Sequence, residues 1–303
     1  MAHSTAPTPA GQRERRVVRS RAGLAPRVLH IWRYRELLVG LVRKELKVKY
    51  KNSFLGFLWS MLNPALTLVV FYVVFQLVLG SGIPYFAIYL LSGVLVWNLF
   101  AAGLNGGVVS MVNNSSLIKK VAFPREILPL ASIGAALVHF FLQGSVLVAA
   151  LVIFRYPSSG RFLLLIPPAL LVLLVLLAGL TVLLSAVNVY MRDTQHFVEL
   201  AMLAWFWGTP IVYPFRLLSD KLEERSWMVF LNPVAAVTVS FQRAIYNKVE
   251  PLGSDGKPLH ILPDVGMSWY LTRLAVVGGA SVVLLIVALA VFARLEGNFA
   301  EEL

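Results

Sequence analysis

Residues 52 to 118 contain no Asp, Glu, Lys, Arg or His. A water-soluble fold cannot carry so long an uncharged stretch, because it needs charged side chains to face water. Soluble domains keep about 25% charged residues, whereas this 303-residue chain has 14%, with 58% hydrophobic. Lipid is therefore the solvent for most of it. A helix crosses the hydrocarbon core with about 20 apolar residues. Runs of that kind fall at 57–79, 86–108, 127–154, 162–187, 197–215 and 271–293. They predict an all-α polytopic membrane protein with six transmembrane helices. "GSGIPY" (80–85) and "RYPSSGR" (155–161) close two short hairpins.

The net charge of +12 could suggest nucleic acid, but its placement argues otherwise. Thirteen of the 27 Lys and Arg precede residue 52 and flank the first span, as an orienting signal does. With the N-terminus inside, the inner segments hold 18 Lys and Arg and the outer ones 9. Both termini are then expected in the cytoplasm, and residues 113–126 face it too.

The chain divides at 27 and 52. Residues 1–27 read as a disordered basic tail. No apolar core follows closely enough for a signal peptide, and an Arg-rich transit peptide is the alternative. Residues 28–52 read as a cytoplasmic amphipathic interface helix. Tyr34, Leu38, Val42, Leu46 and Tyr50 recur every four residues, with Leu37 and Leu41 beside them, and Glu36, Arg43, Lys44, Lys47 and Lys51 on the other side. Its lysines would face anionic lipid or a partner. Residues 53–303 form the six-span domain. Within it, 216–270 lies outside. "SWMVFLNPVAAVTVSFQ" (226–242) is uncharged but short and carries Pro233, which suits re-entrant helices between spans five and six. Gly208, Pro210 and Pro214 break the fifth span. Such breaks survive at membrane depth only where protein or a water-filled cavity surrounds them.

Several chemistries are missing. No G-x-x-x-x-G-K-[ST], H-E-x-x-H, C-x-x-C or G-x-S-x-G occurs. The chain has no cysteine, and its five histidines are scattered. No metal site and no catalytic residue is expected. His139 is an intramembrane ionisable group, a functional candidate that packing alone could also explain. Glu199 is the one acidic residue within a span, too little for an ion-coupled relay. An energised function therefore needs a partner. Gly103 and Gly107 form a GxxxG, a signal of close helix packing.

"LVRKELKVKYKNSFLGFLWSMLNP" (41–64), "LIKKVAFPREILPLA" (117–131), "NVYMRDTQHF" (188–197), "WGTPIVYP" (207–214) and "LNPVAAVTVSFQRAIY" (231–246) occur in that order. Together they resemble the membrane subunit of the ABC-2 type polysaccharide exporters, which move lipid-linked O-antigen, teichoic acid or related glycans across the bacterial inner membrane. The likeness covers residues 35 to 295. One departure is Thr209 where the family often has Ser, which keeps the hydroxyl. The resemblance implies a homodimer with the path at its interface and two copies of a separate ATP-binding-cassette ATPase. ATP and Mg would be bound there and no cofactor by this chain.

It also implies that 113–126 is the coupling helix that docks on the ATPase. Leu117, Ile118, Val121 and Phe123 would fill an apolar slot, and Lys119, Lys120 and Arg125 would meet acidic groups. Asn114, Ser115 or Ser116 would cap its start and Pro124 end it, with Glu126 closing the segment. An ordinary positive-inside loop is the alternative, but it does not need the apolar residues. A glycan path wants aromatic faces. Phe71, Tyr72, Phe75, Tyr85, Phe86, Tyr89, Trp205, Trp207 and Tyr213 are the candidates, and a membrane-interface belt is the other explanation for each. Lys47, Lys49, Lys51 and Arg192 are candidates for the lipid pyrophosphate, though ordinary headgroups would suit them as well. Two rival functions are export of a drug or small lipid and a membrane-embedded glycosyl- or acyltransferase.

Overall fold

The computed structural model of the protein describes residues 31–51, 53, 56, 58–78, 83–157, 159–215, 223–246, 252, 256, 258 and 261–303. The basic tail and parts of the 216–270 segment lie outside the described residues. What is described is helical. In chain order the helices are α1 (Arg35–Tyr50), α2 (Leu58–Phe71), α3 (Phe86–Asn113), α4 (Ser115–Lys120), α5 (Ile127–Ile153) and α6 (Ile166–Tyr190). They are followed by α7 (Thr194–Trp207), α8 (Pro233–Ile245), α9 (Met267–Leu295) and α10 (Phe299–Glu302). A π-helical turn, Tyr72–Val78, extends α2, and 3-10 turns precede α6 and α8. No strand occurs among the described residues, only an isolated bridge between Leu252 and Pro258.

Among the described residues, five stretches are long and apolar enough to cross a membrane: Leu58–Phe75, Phe86–Asn113, Ile127–Ile153, Gly160–Tyr190 and Met267–Asn298. They correspond to five of the six expected spans. The run at 197–215 is different. Its helix, α7, has 14 residues and stops at Trp207, so it extends about 21 Å against a hydrocarbon core of about 30 Å. Pro210 explains the stop, because it lacks an N–H and its ring clashes with the preceding turn.

α3 is the central helix. Most of it is buried, from Phe86 to Met111, between α5, α6, α7 and α8. The GxxxG lies on its α6 side. A Cβ on Gly107 would sit 2.4 Å from Thr181 Cγ2, and one on Gly103 3.2 Å from Leu177 Cδ1. The two glycines therefore serve packing inside this chain, allowing α3 and α6 to touch.

Side-chain bonds mark the two ends of the bundle. At one end Lys44 Nζ donates to Asn114 Oδ1 (2.7 Å), Tyr190 Oη donates to the Leu295 carbonyl (2.8 Å) and Arg125 donates to the Glu296 carbonyl. At the other, Tyr246 Oη donates to the Pro84 carbonyl (2.8 Å) and the Phe162 and Tyr270 rings meet edge-on at 6.3 Å. α1 lies along α5. Its stripe of Tyr34, Leu37, Leu38, Leu41 and Val42 packs into the core at the α4 end. Gly134 leaves room for Val42, whose Cγ2 would be 2.6 Å from an added Cβ. Ser132 Oγ donates to Glu45 Oε1 at 3.0 Å. The apolar face of the amphipathic helix thus meets protein, and Glu36, Arg43, Lys44 and Lys47 stay exposed.

Candidate functional site

The 114–126 stretch is a one-and-a-half-turn helix followed by an extended loop. The last turn of α4 carries Lys119 and Lys120, and Val121 leaves it in an extended conformation. Its residues divide into two sets. Ser116, Lys119, Lys120, Val121 and Ala122 are exposed, Val121 at 51%. Ile118 is only 5% exposed and belongs to the core with Met111, Ile127 and Phe299. Leu117 and Phe123 are half-buried against the same core. Ser115 is half-buried and Glu126 buried. Arg125 bonds the Glu296 carbonyl and stands 5.8 Å from the centre of the Phe299 ring. Of the four apolar residues expected to face outward, Val121 alone is fully exposed. The turn α10 occupies the space beneath the others, a cover that no local pattern around residue 118 announces.

The aromatic candidates gather into two groups. Phe71, Phe75, Phe86 and Tyr89 follow one another at centroid distances of 5.8, 5.2 and 5.9 Å. The series continues through Tyr246 (5.4 Å), Tyr156 (6.1 Å) and Tyr85 (5.2 Å). Tyr246 and Tyr156 were not among the expected residues. Phe86 and Tyr89 are fully buried in this chain, so their rings bind its own core, while Tyr72 and Tyr85 are exposed. The second group sits where α7 ends. Trp205 meets Phe100 at 5.0 Å, Phe206 meets Trp97 at 5.3 Å, and Trp207 is 61% exposed.

From residue 208 to 214 the chain is not helical, and side chains bond its backbone. Asn232 Nδ2 donates to the Gly208 carbonyl (3.1 Å) and to Thr209 Oγ1 (2.9 Å). Asn232 Oδ1 accepts from Trp205 Nε1 (2.8 Å) and caps α8 through Val234 N–H (3.0 Å). Gln242 Nε2 donates to the Pro210 carbonyl (3.1 Å), and Tyr89 Oη to that of Tyr213 (3.1 Å). Tyr213 Oη in turn donates to the Trp207 carbonyl (2.7 Å). Gly93 has no side chain to obstruct this, since a Cβ there would lie 2.7 Å from Gln242 Nε2. A buried carbonyl left unpaired costs about 1–3 kcal/mol, so this set of bonds stabilises the break. Thr209 shows why a hydroxyl suits its position: it donates to the Trp205 carbonyl (2.8 Å) while accepting from Asn232.

The basic candidates do not converge. Lys47, Lys51 and Arg192 are exposed. Lys49 borders a cavity of about 330 Å³ between α1, the start of α2, α3 and α5. Its side chain is exposed overall, yet desolvation beside the bundle holds its amine below the ordinary lysine range. Asn98, Asn105 and Gln143 line this cavity with Trp59. Tyr50, Ser60 and His139 also line it and form a bonded trio, in which His139 Nδ1 lies 2.9 Å from Ser60 Oγ and 3.1 Å from Tyr50 Oη. Tyr50 and Ser60 also bond each other. His139 therefore has a polar role as well as a packing one. Among the described residues no cluster of His, Asp or Glu could hold a metal.

Residues 36–246 match the family described as ABC-2 type transporter. The chain belongs to that family. As a whole, this ABC-2 protein is similar to "O-antigen export system permease protein RfbA" of Myxococcus xanthus. The two are 34% identical over 277 residues, 91% of this chain and 98% of that one. A protein of the same name from Klebsiella pneumoniae is 31% identical over 266 residues, 88% of this chain and 94% of its own. A second from Klebsiella pneumoniae is 32% identical over 212 residues, covering 70% and 81%. The ABC-2 match includes α1, α4, the break at 208–214 and α8.

Proposed function

We propose that this ABC-2 subunit exports a lipid-linked polysaccharide of the O-antigen, teichoic acid or galactan type. It does so from the cytoplasmic to the outer side of the bacterial inner membrane. The observation that carries this reading is the end-to-end likeness to O-antigen export permeases, one of which is matched over 98% of its length. Energy comes from two copies of a separate ATP-binding-cassette ATPase, which bind ATP and Mg. Two copies of this chain frame the path.

The helix contacts support six passages. Tyr190 and Leu295 meet at the α4 end, and Tyr246 meets Pro84 at the other. Between Tyr190 and Tyr246 the chain therefore changes ends, through α7 and the bonded stretch beyond it. The 3-10 turn before α8, and α8 itself, are the re-entrant pieces on the outer side. The α4 end faces the cytoplasm and both termini are cytoplasmic, a reading that the Lys/Arg distribution favours. There Ser116, Lys119, Lys120 and Val121 form the surface that meets the ATPase. Leu117, Ile118, Phe123 and Arg125 hold that surface in shape from within, with Ser115 and Glu126 at its two ends. The exposed Tyr72, Tyr85 and Trp207 are the aromatic faces open to the path, and Lys47, Lys49, Lys51 and Arg192 are the candidates to meet the lipid pyrophosphate as it enters.

The test is depletion of this chain in a cell that makes the glycan. Surface glycan should disappear and lipid-linked glycan should accumulate on the cytoplasmic side. Undiminished surface glycan would refute the reading.

A further inference from the structure

We propose that the cavity between α1, α2, α3 and α5 binds one sugar unit together with the phosphate that joins it to a lipid carrier. This rests on the export of a lipid-linked glycan and adds a recognition site to it. At about 330 Å³ the cavity is at the lower end of small-molecule sites, which run from about 300 to 1,000 Å³. It has room for a ring and its phosphate but not for a polymer.

The lining is unusual for its depth. α3 contributes Asn98 and Asn105, seven residues apart and so two turns along one face, with Ala101 and Ala102 between them. Two amides with two small residues on the face between them make a polar trough along one side of α3. Polar groups at membrane depth are costly unless they are partnered. Asn98 Nδ2 donates to Gln143 Oε1 across the trough (3.0 Å). That bond uses one donor and one acceptor, whereas a pair of amides offers four N–H groups and two carbonyl oxygens. A hydroxyl-rich ring presents donors and acceptors to match the remainder.

Two further walls narrow the ligand. Trp59, 52% exposed, offers an aromatic face on which the C–H side of a sugar can lie. Among the described residues, Lys49 is the one charged group of the lining, which holds no carboxylate. One amine without a counter-charge suits a phosphate and disfavours a cation. An apolar drug would leave the amides unpaired. The Tyr50, Ser60 and His139 trio closes the site by tying the end of α1 to α2 and α5.

The test uses the purified full-length chain in detergent. The probes are decyl pyrophosphate and decyl pyrophosphate extended by glucose, galactose or N-acetylglucosamine, with binding read by native mass spectrometry. At least one sugar should improve binding about tenfold over decyl pyrophosphate. The double variant Asn98→Leu with Gln143→Leu should abolish that preference. It replaces two groups that bond each other with apolar ones of similar size, a change that tends to leave stability near parental. The exposed Trp59→Leu is an independent second variant and should also reduce the preference. Lys49→Gln should weaken every probe to the same extent, with or without sugar. The proposal is overturned if no sugar improves on decyl pyrophosphate, if both wall variants keep the preference, or if Lys49→Gln changes nothing. Any of these leaves the export reading untouched, since surface glycan in depleted cells decides that separately.

Discussion

Asn232 and Trp205, 27 residues apart in the chain, are joined by a 2.8 Å bond from the indole N–H to the amide oxygen. The bond lies where α7 ends and α8 begins, so one amide serves two broken helices. Asn232→Ala should therefore cost more than an ordinary cap. Loss of an N-cap costs about 1 kcal/mol, and each buried group left unsatisfied costs about 1–3 kcal/mol. A combined loss of about 2–4 kcal/mol is expected, read as a fall in melting temperature. Asn232→Asp keeps the acceptor and should fall between. An alanine variant that melts with the parent would show that the break is held by something else.

The division within 114–126 predicts opposite phenotypes for neighbours. Lys119→Glu with Lys120→Glu and Val121→Asp alters only exposed positions. It should melt within about 0.5 kcal/mol of the parent yet fail to co-purify the ATPase. Ile118→Asp buries a carboxylate in the core and should cost roughly several kcal/mol, with loss of folded protein. Retention of the ATPase by the triple variant would make this loop merely topological.

Two glycines should answer differently to alanine. At Gly107 the new methyl meets Thr181 at 2.4 Å, and overpacking of this kind costs about 1–3 kcal/mol. At Gly40, inside α1, nothing lies within 4 Å of the new Cβ, so Gly40→Ala should stabilise by roughly 0.5–1 kcal/mol. Melting of the two variants side by side checks the α3–α6 contact. Equal melting would refute it.

Glu45 predicts a pH dependence. Burial raises its pKa above 4.5, against the opposing effects of the Ser132 hydroxyl and Lys44. The folded state then holds a proton that the unfolded state has released, so stability falls as pH rises from 4.5 through the folded value. Glu45→Gln keeps an acceptor for Ser132 and removes the charge. It should melt higher than the parent at pH 7, with the difference shrinking toward pH 4.5. A difference that stays constant with pH would assign the effect to packing.

Parts of this were readable from residue order. The uncharged runs locate five long helices, and Gly208 with Pro210 locates the end of α7. What keeps that end stable was not readable. Gln242 serves the Pro210 carbonyl from 32 residues away and Asn232 serves Gly208 from 24, and such bonds leave no local pattern. The burial of Ile118 is a related case. An apolar residue in a basic loop suits a partner or its own chain equally well, and the choice rests on Phe299, far along the sequence. The amide pair Asn98 and Asn105 did carry a signal, two polar residues one double turn apart, but each looks isolated when a span is judged by its average.

The cover over the 114–126 loop has a consequence for synthesis. Arg125 and Glu296 are 171 residues apart. At about 5–20 residues per second, roughly 10 to 30 s separate their emergence from the ribosome. Throughout that interval Ile118 and Phe123 lack the ring of Phe299. In the proposed complex, the ATPase therefore meets the finished surface only once Phe299 has joined the loop. A chain stalled after α6 would present Lys119, Lys120 and Val121 on a loop that α10 does not yet support, and so in a shape the motor does not fit.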